Sequence, residues 1–154
     1  MTRAGSGSFS AAGNAPSFTA PPPTGTSWTL GYVDAGETHV IASSPRSGVL
    51  VDLVIIRFER TTAGSVTIDA TCNIDGGTPC TGMDFYRNFN GDGDTGDFFC
   101  ALTSGTIVVT EASSSRVKGT VSGSGSCIAG TGGATSAFSV SNGAFDVALV
   151  TPPG

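Results

Sequence analysis

The chain has 154 residues, enough for one domain with a substantial core. Only 12% of them are charged, the net charge is −5, and the seven Lys and Arg are scattered from Arg3 to Lys118, which argues against nucleic acid as a partner because neutralising phosphates takes clustered cations. The longest apolar run, residues 49–58, contains Asp52 and Arg57 and falls well short of the ~20 apolar residues of a membrane-spanning helix, so no transmembrane segment is expected.

Residues 1–25 stand apart, because Gly, Ser, Ala and Pro dominate and Pro21-Pro22-Pro23 stiffens the exit. The opening residues lack the apolar stretch of a signal peptide. The expectation is an export signal already removed, or another route to the compartment, as for a virion protein. Two short segments, one holding Ser8, Phe9 and Ser10 and the other Phe18, have the composition to pair as strands. This N-terminal stretch therefore reads as an assembly arm, and the plain alternative is a disordered tail.

Residues 26–154 read as the folded body. Candidate strands cover residues 26–33, 37–43, 48–60, 64–70, 83–89, 97–102, 106–111, 116–123, 134–140 and 144–150. Trp28, Leu30 and Tyr32 alternate with small residues, as a strand with one buried face requires. Segment 48–60 is apolar on both faces and reads as an interior strand. Its Asp52 and Arg57 fall on opposite faces, and each is expected near a strand end, where a charge blocks edge pairing. Ser113-Ser114-Ser115 reads as a corner between two strands. Asn142-Gly143 reads as a type I′ hairpin turn, because both residues tolerate positive φ. The predicted architecture is all-β, an antiparallel β-sandwich of jelly-roll or immunoglobulin-like form with about nine strands.

Four cysteines, Cys72, Cys80, Cys100 and Cys127, favour two disulfides in a chain with a single lysine. Three pairings are open. The preferred one closes the 73–79 turn with Cys72–Cys80 and ties two strands with Cys100–Cys127. Zinc is disfavoured, since no CxxC pair occurs and His39 is the only histidine.

Residues 104–110, 115–121 and 140–147, with their hairpin chemistry, resemble the C-terminal half of a group of uncharacterised bacterial envelope lipoproteins, which also carry a Trp in an early strand, as Trp28 would be here. The resemblance covers about half of the chain. It implies an exported single-domain β-sandwich and brings no catalytic residues. The chain departs from that pattern in its four internal cysteines and in lacking a lipidated N-terminal Cys.

Reactive side chains are scarce. The loop holding Asn88, Asn90, Asp92, Asp94 and Asp97 is a candidate calcium site, because a hard cation wants six to eight oxygens and alternating Asn and Asp in a Gly-rich loop can supply several. The position that a bidentate Glu would occupy is Phe99, and a solvated turn is the plain alternative. His39 reads as an exposed strand residue without a nucleophile in a suitable setting. Asp34, Glu37, Asp52, Glu59 and Asp69 could meet as paired carboxylates, but no spacing singles out two of them. The Gly-x-Gly runs over residues 123–133 read as loops.

The expectation is a non-enzymatic structural subunit of an extracellular or cell-surface filament, with itself as partner. The arm would add as a strand to an open sheet edge of the next copy. The alternatives are a cell-envelope module that binds glycan or protein through the loop at 88–97 and Tyr86, with or without calcium, and a viral decoration protein.

Overall fold

The computed structural model describes residues 7–13, 28–47, 50–74, 76–89, 98–129 and 135–152. Among these residues the regular structure is all strand: β1 (Gly7–Gly13), β2 (Trp28–Asp34), β3 (Glu37–Ser47), β4 (Leu50–Phe58), β5 (Gly64–Thr67), β6 (Gly82–Phe89), β7 (Phe98–Ala112), β8 (Arg116–Ala129) and β9 (Thr135–Ala148). No described helix is long and apolar enough to cross a membrane. Eight strands hydrogen-bond in the order β1-β9-β8-β7-β6-β4-β3-β2, and β5 pairs with β7 off that path. All of these ladders are antiparallel.

The expected pair of separate sheets is thereby corrected to one continuous sheet, bent so that distant strands pack face to face. Phe58 of β4 and Phe145 of β9 lie with ring centroids 5.8 Å apart, although β8, β7 and β6 stand between them in the strand order. The enclosed face carries Val40, Val54, Ile56, Phe58, Phe85, Ile107, Val121, Phe138 and Val147, each 2% exposed or less. Each such side chain contributes roughly 1.5–3 kcal/mol by leaving water. β2, at one end of the sheet, meets the residues just past β9 at one parallel bridge between Gly31 and Leu149, where the Val150 amide donates to the Gly31 carbonyl (2.8 Å). Glycine is needed at this contact, since a Cβ on residue 31 would sit 2.7 Å from a Val147 methyl.

Strand boundaries deviate from expectation where bulges occur. Segments 97–102 and 106–111 are a single strand, β7, whose pairing shifts between Leu102 and Ser104 against β8. Segments 134–140 and 144–150 are likewise joined in β9. Asn142-Gly143 is no hairpin turn. Asn142 does adopt positive φ (53°), but it forms a bulge inside β9, shifting the register against both β8 and β1. The same left-handed backbone serves a turn or a bulge, and here the neighbouring strand β8 runs on past it. Glycines 123 and 125, expected in loops, belong to β8. The Ser113–Ser115 corner forms as predicted: the Ser113 amide donates to the Arg116 carbonyl (2.9 Å), and the Ser113 hydroxyl accepts from the Arg116 amide (3.1 Å).

The true type I′ turn joins β2 to β3. Asp34 pairs with Glu37 across Ala35-Gly36, whose φ values are 51° and 83°. Alanine is poorly suited to that backbone, which costs a residue with Cβ about 1–2 kcal/mol. Ala35→Asn is expected to raise stability by about 0.5–1 kcal/mol, read as a higher midpoint in thermal unfolding.

Candidate functional site

The short β2–β3 hairpin puts Glu37, His39 and Ile41 on alternating positions of β3, and therefore on one face. His39 stands directly opposite Tyr32 on β2 and Arg57 on β4. This row lies on the face turned away from the enclosed core, because Val40, Ile56 and Phe58 on the intervening positions fill that core.

The segment between β5 and β6 covers the row. It is held at one end by the Ile68 amide on the Gly105 carbonyl (2.9 Å) and the Asp69 amide on the Thr81 carbonyl (2.8 Å). It then turns at Asp69, whose carboxylate accepts from the Thr71 amide (2.9 Å) and hydroxyl (2.7 Å); these bonds hold the Asp69 carboxyl below its ordinary pKa. The Cys72–Cys80 disulfide closes the segment, and the Cys100–Cys127 disulfide links a directly opposed pair of β7 and β8. Both expected pairings are present.

Arg57 fastens this loop to the sheet. Its Nε donates to Glu37 Oε1 (2.6 Å), Nη1 to the carbonyls of Ile74 (3.0 Å) and Gly76 (2.7 Å), and Nη2 to the carbonyl of Thr78 (3.0 Å). Glu37 Oε2 accepts the amide of Cys80 (2.9 Å), and His39 Nε2 lies 2.8 Å from Oε1. The side chains of Arg57 and Glu37 are 6% and 4% exposed. A guanidinium and a carboxylate this deeply buried persist because nearly every donor and acceptor has a partner. Arg57 was expected to block an edge; β4 is instead interior, flanked by β3 and β6, and its arginine is a latch. Asp52, on the other face of β4, is also buried.

His39 is not the exposed residue expected. It stacks on Tyr32, with ring centroids 4.5 Å apart and planes 8° from parallel, and its side chain is 16% exposed. Burial lowers its pKa below the ordinary 6.5; the Arg57 charge works in the same direction, and Glu37 opposes both. A histidine whose folded pKa is lowered binds its proton more readily when unfolded. Its contribution to stability is therefore present above pH 6.5 and is lost as the pH falls through and below that value. Urea unfolding at pH 7.5 and 5.5 is expected to show lower stability at the acid pH, and a smaller difference in His39→Gln.

Between the hairpin and the latched loop lies a half-open cleft of about 380 Å³, bordered by Tyr32, Asp34, Glu37, His39, Arg57 and Pro79. Of the five candidate carboxylates, only Asp34 and Glu37 line it. Glu59 and Asp69 are exposed elsewhere, and Asp52 faces the other side of its strand. The cleft thus gathers one histidine, two carboxylates and an arginine. Its histidine and arginine are both bonded to Glu37, and Arg57 is spent on loop carbonyls.

Of the candidate calcium ligands, Asn88 falls in β6, while Asn90, Asp92, Asp94 and Asp97 lie outside the described residues. Among the described residues, no three His, Cys, Asp or Glu are grouped to hold a metal. Tyr86, expected to present itself to a ligand, is 7% exposed and packs on Phe99 with centroids 5.0 Å apart. In the arm, Ser8, Phe9 and Ser10 belong to β1, opposite Asp146, Phe145 and Ala144 of the same chain's β9. Phe18 lies outside the described residues. The described cationic side chains are engaged locally: Arg60 donates to the Thr62 and Ala63 carbonyls, Arg116 pairs with Asp146, and Lys118 lies 3.5 Å from Glu111.

The Arg57–Glu37 latch was not anticipated. The available signal was an arginine inside a strand apolar on both faces, which needs a buried partner. The partner itself is 20 residues away. No protein family, curated protein or solved structure matches this chain.

Proposed function

We propose that the protein is a non-enzymatic structural subunit of an extracellular or cell-surface filament, assembled when the N-terminal arm of one copy adds as a strand to the sheet of another. What supports this reading is that the arm is competent as an added strand: Gly7–Gly13 forms an antiparallel ladder with Val140–Val147, here of its own chain. An arm of small residues and one Phe matches the last strand of the body over its whole length. Main-chain ladders of this kind give affinity without needing reactive side groups. Two disulfides suit an oxidising compartment, and a charge-poor, Ser- and Thr-rich chain suits the outside of a cell. The likeness to envelope lipoproteins points the same way and rests on hairpin chemistry alone.

The single chain has its arm on its own β9, so a filament requires the ladder between copies to displace the ladder within one. Removing residues 1–20 and measuring mass in solution is the test. Loss of the ordered high-mass species supports the reading, including where the bared β9 edge gives irregular aggregate instead, and unchanged ordered assembly refutes it.

A second reading, a binding module of the cell envelope, draws support from the cleft beside Tyr32. An aromatic wall next to Asp34 and Glu37 suits a polar ligand such as a glycan. Under this reading Tyr32→Ala abolishes glycan capture by a monomer.

A further inference from the structure

We infer that the β9 edge from Val140 to Val147 is an acceptor for Gly7–Gly13 of a second copy, so that one ladder closes the free subunit and, exchanged, joins subunits. This rests on the strand-addition reading above and names its acceptor. Within the sheet order β1 is terminal: it bonds to β9, while its neighbour in sequence, β2, stands at the opposite end. The arm's covalent tie to its own body is through residues 14–27, and its other tie is the ladder to β9. Those 14 residues, between the end of β1 and the start of β2, reach at most roughly 50 Å when extended, enough to carry β1 to an adjoining subunit.

An uncovered β9 edge is not a stable alternative. β1 pairs β9 from Val140 to Val147, and a bare edge of that length pairs with whatever strand it meets. Either the copy's own arm or another's must cover it. The occupant is specified by register. The bulge at Asn142-Gly143 shifts β9 against β1 between Ser10 and Ala12, so an arriving strand must be accommodated to that irregularity. Gly7–Gly13 is so accommodated, and a second copy carries the same segment. One residue of slip would turn every side chain of the arriving strand to the wrong face.

Tethering sets when exchange occurs. A strand on a short linker has an effective concentration on the order of millimolar at its own slot. Dilute protein is therefore self-capped, and exchange prevails where copies are crowded or held on a surface. Arm and acceptor are different surfaces, so successive exchanges run head to tail and need not close.

The test uses two single variants of the full chain, Ser10→Cys and Ala144→Cys, whose positions face each other in the ladder. They are mixed at assembling concentration and oxidised. A disulfide-linked heterodimer that forms in the mixture and is absent on dilution before mixing is expected. A second pair, Ser8→Cys with Asp146→Cys, gives the same readout should the first pair fold poorly. Assembly of the wild-type chain with neither pair cross-linking overturns the acceptor while leaving strand addition at another edge. A wild-type chain that stays monomeric at every concentration, with no cross-link, overturns both.

Discussion

Arg57→Ala is expected to destabilise the fold by about 3–5 kcal/mol, the usual consequence of removing one partner from a buried ion pair. The substitution strands the Glu37 carboxylate at 4% exposure and leaves the carbonyls of Ile74, Gly76 and Thr78 without their donor. The damage should spread along the covering loop, because the Cys80 amide also depends on Glu37 being fixed. Urea unfolding would measure it, and native-state hydrogen exchange should show the amides of residues 71–81 opening first. Arg57→Met combined with Glu37→Gln should recover part of the loss, since the two charges then leave together. A loss under about 1 kcal/mol for Arg57→Ala would contradict the latch.

Removing the Cys100–Cys127 disulfide, by Cys100→Ala with Cys127→Ala, is expected to cost about 3.5 kcal/mol. That figure follows from the chain entropy released by opening a 27-residue loop. The bond joins opposed positions of β7 and β8 in the core, where Cys100 is fully buried. Cys72–Cys80 spans only 8 residues, and the same relation gives about 2.5 kcal/mol. Its effect should be smaller still, because Arg57 already holds the loop by three carbonyls. Thermal unfolding of the two double variants gives the comparison. A larger shift for the Cys72–Cys80 pair would show that the latch does not hold the loop by itself.

Much of the sheet was legible in local pattern. Alternation through Trp28, Leu30 and Tyr32 marks β2, and the two-sided apolarity of residues 48–60 marks an interior strand, β4. The serine corner marks the β7–β8 hairpin. The limits are equally physical. Asn142-Gly143 carries the chemistry of a turn, and local chemistry does not distinguish a turn from a bulge, because a type I′ turn needs two left-handed residues, a bulge can use one, and this pair can supply either. The difference lies in whether β8 continues alongside, which is a long-range fact. Conversely, Ala35-Gly36 is the real type I′ turn despite holding an alanine, because the β2 and β3 ladders on either side enforce it. The cleft was hidden for the same reason: Tyr32, His39 and Arg57 share a row only through the registers of three strands.

What unites these features is that the chain's four described cationic side chains and its most buried acid are used to hold its own loops and strands together. The molecule's offer to its surroundings, on this account, is a strand and a matching edge. Negative-stain electron microscopy of the purified full chain, beside the chain lacking residues 1–20, tests that most directly. Filaments in the first sample and their absence from the second are predicted. Single particles of monomer size in both, at concentrations up to the millimolar range where exchange should prevail, would contradict it.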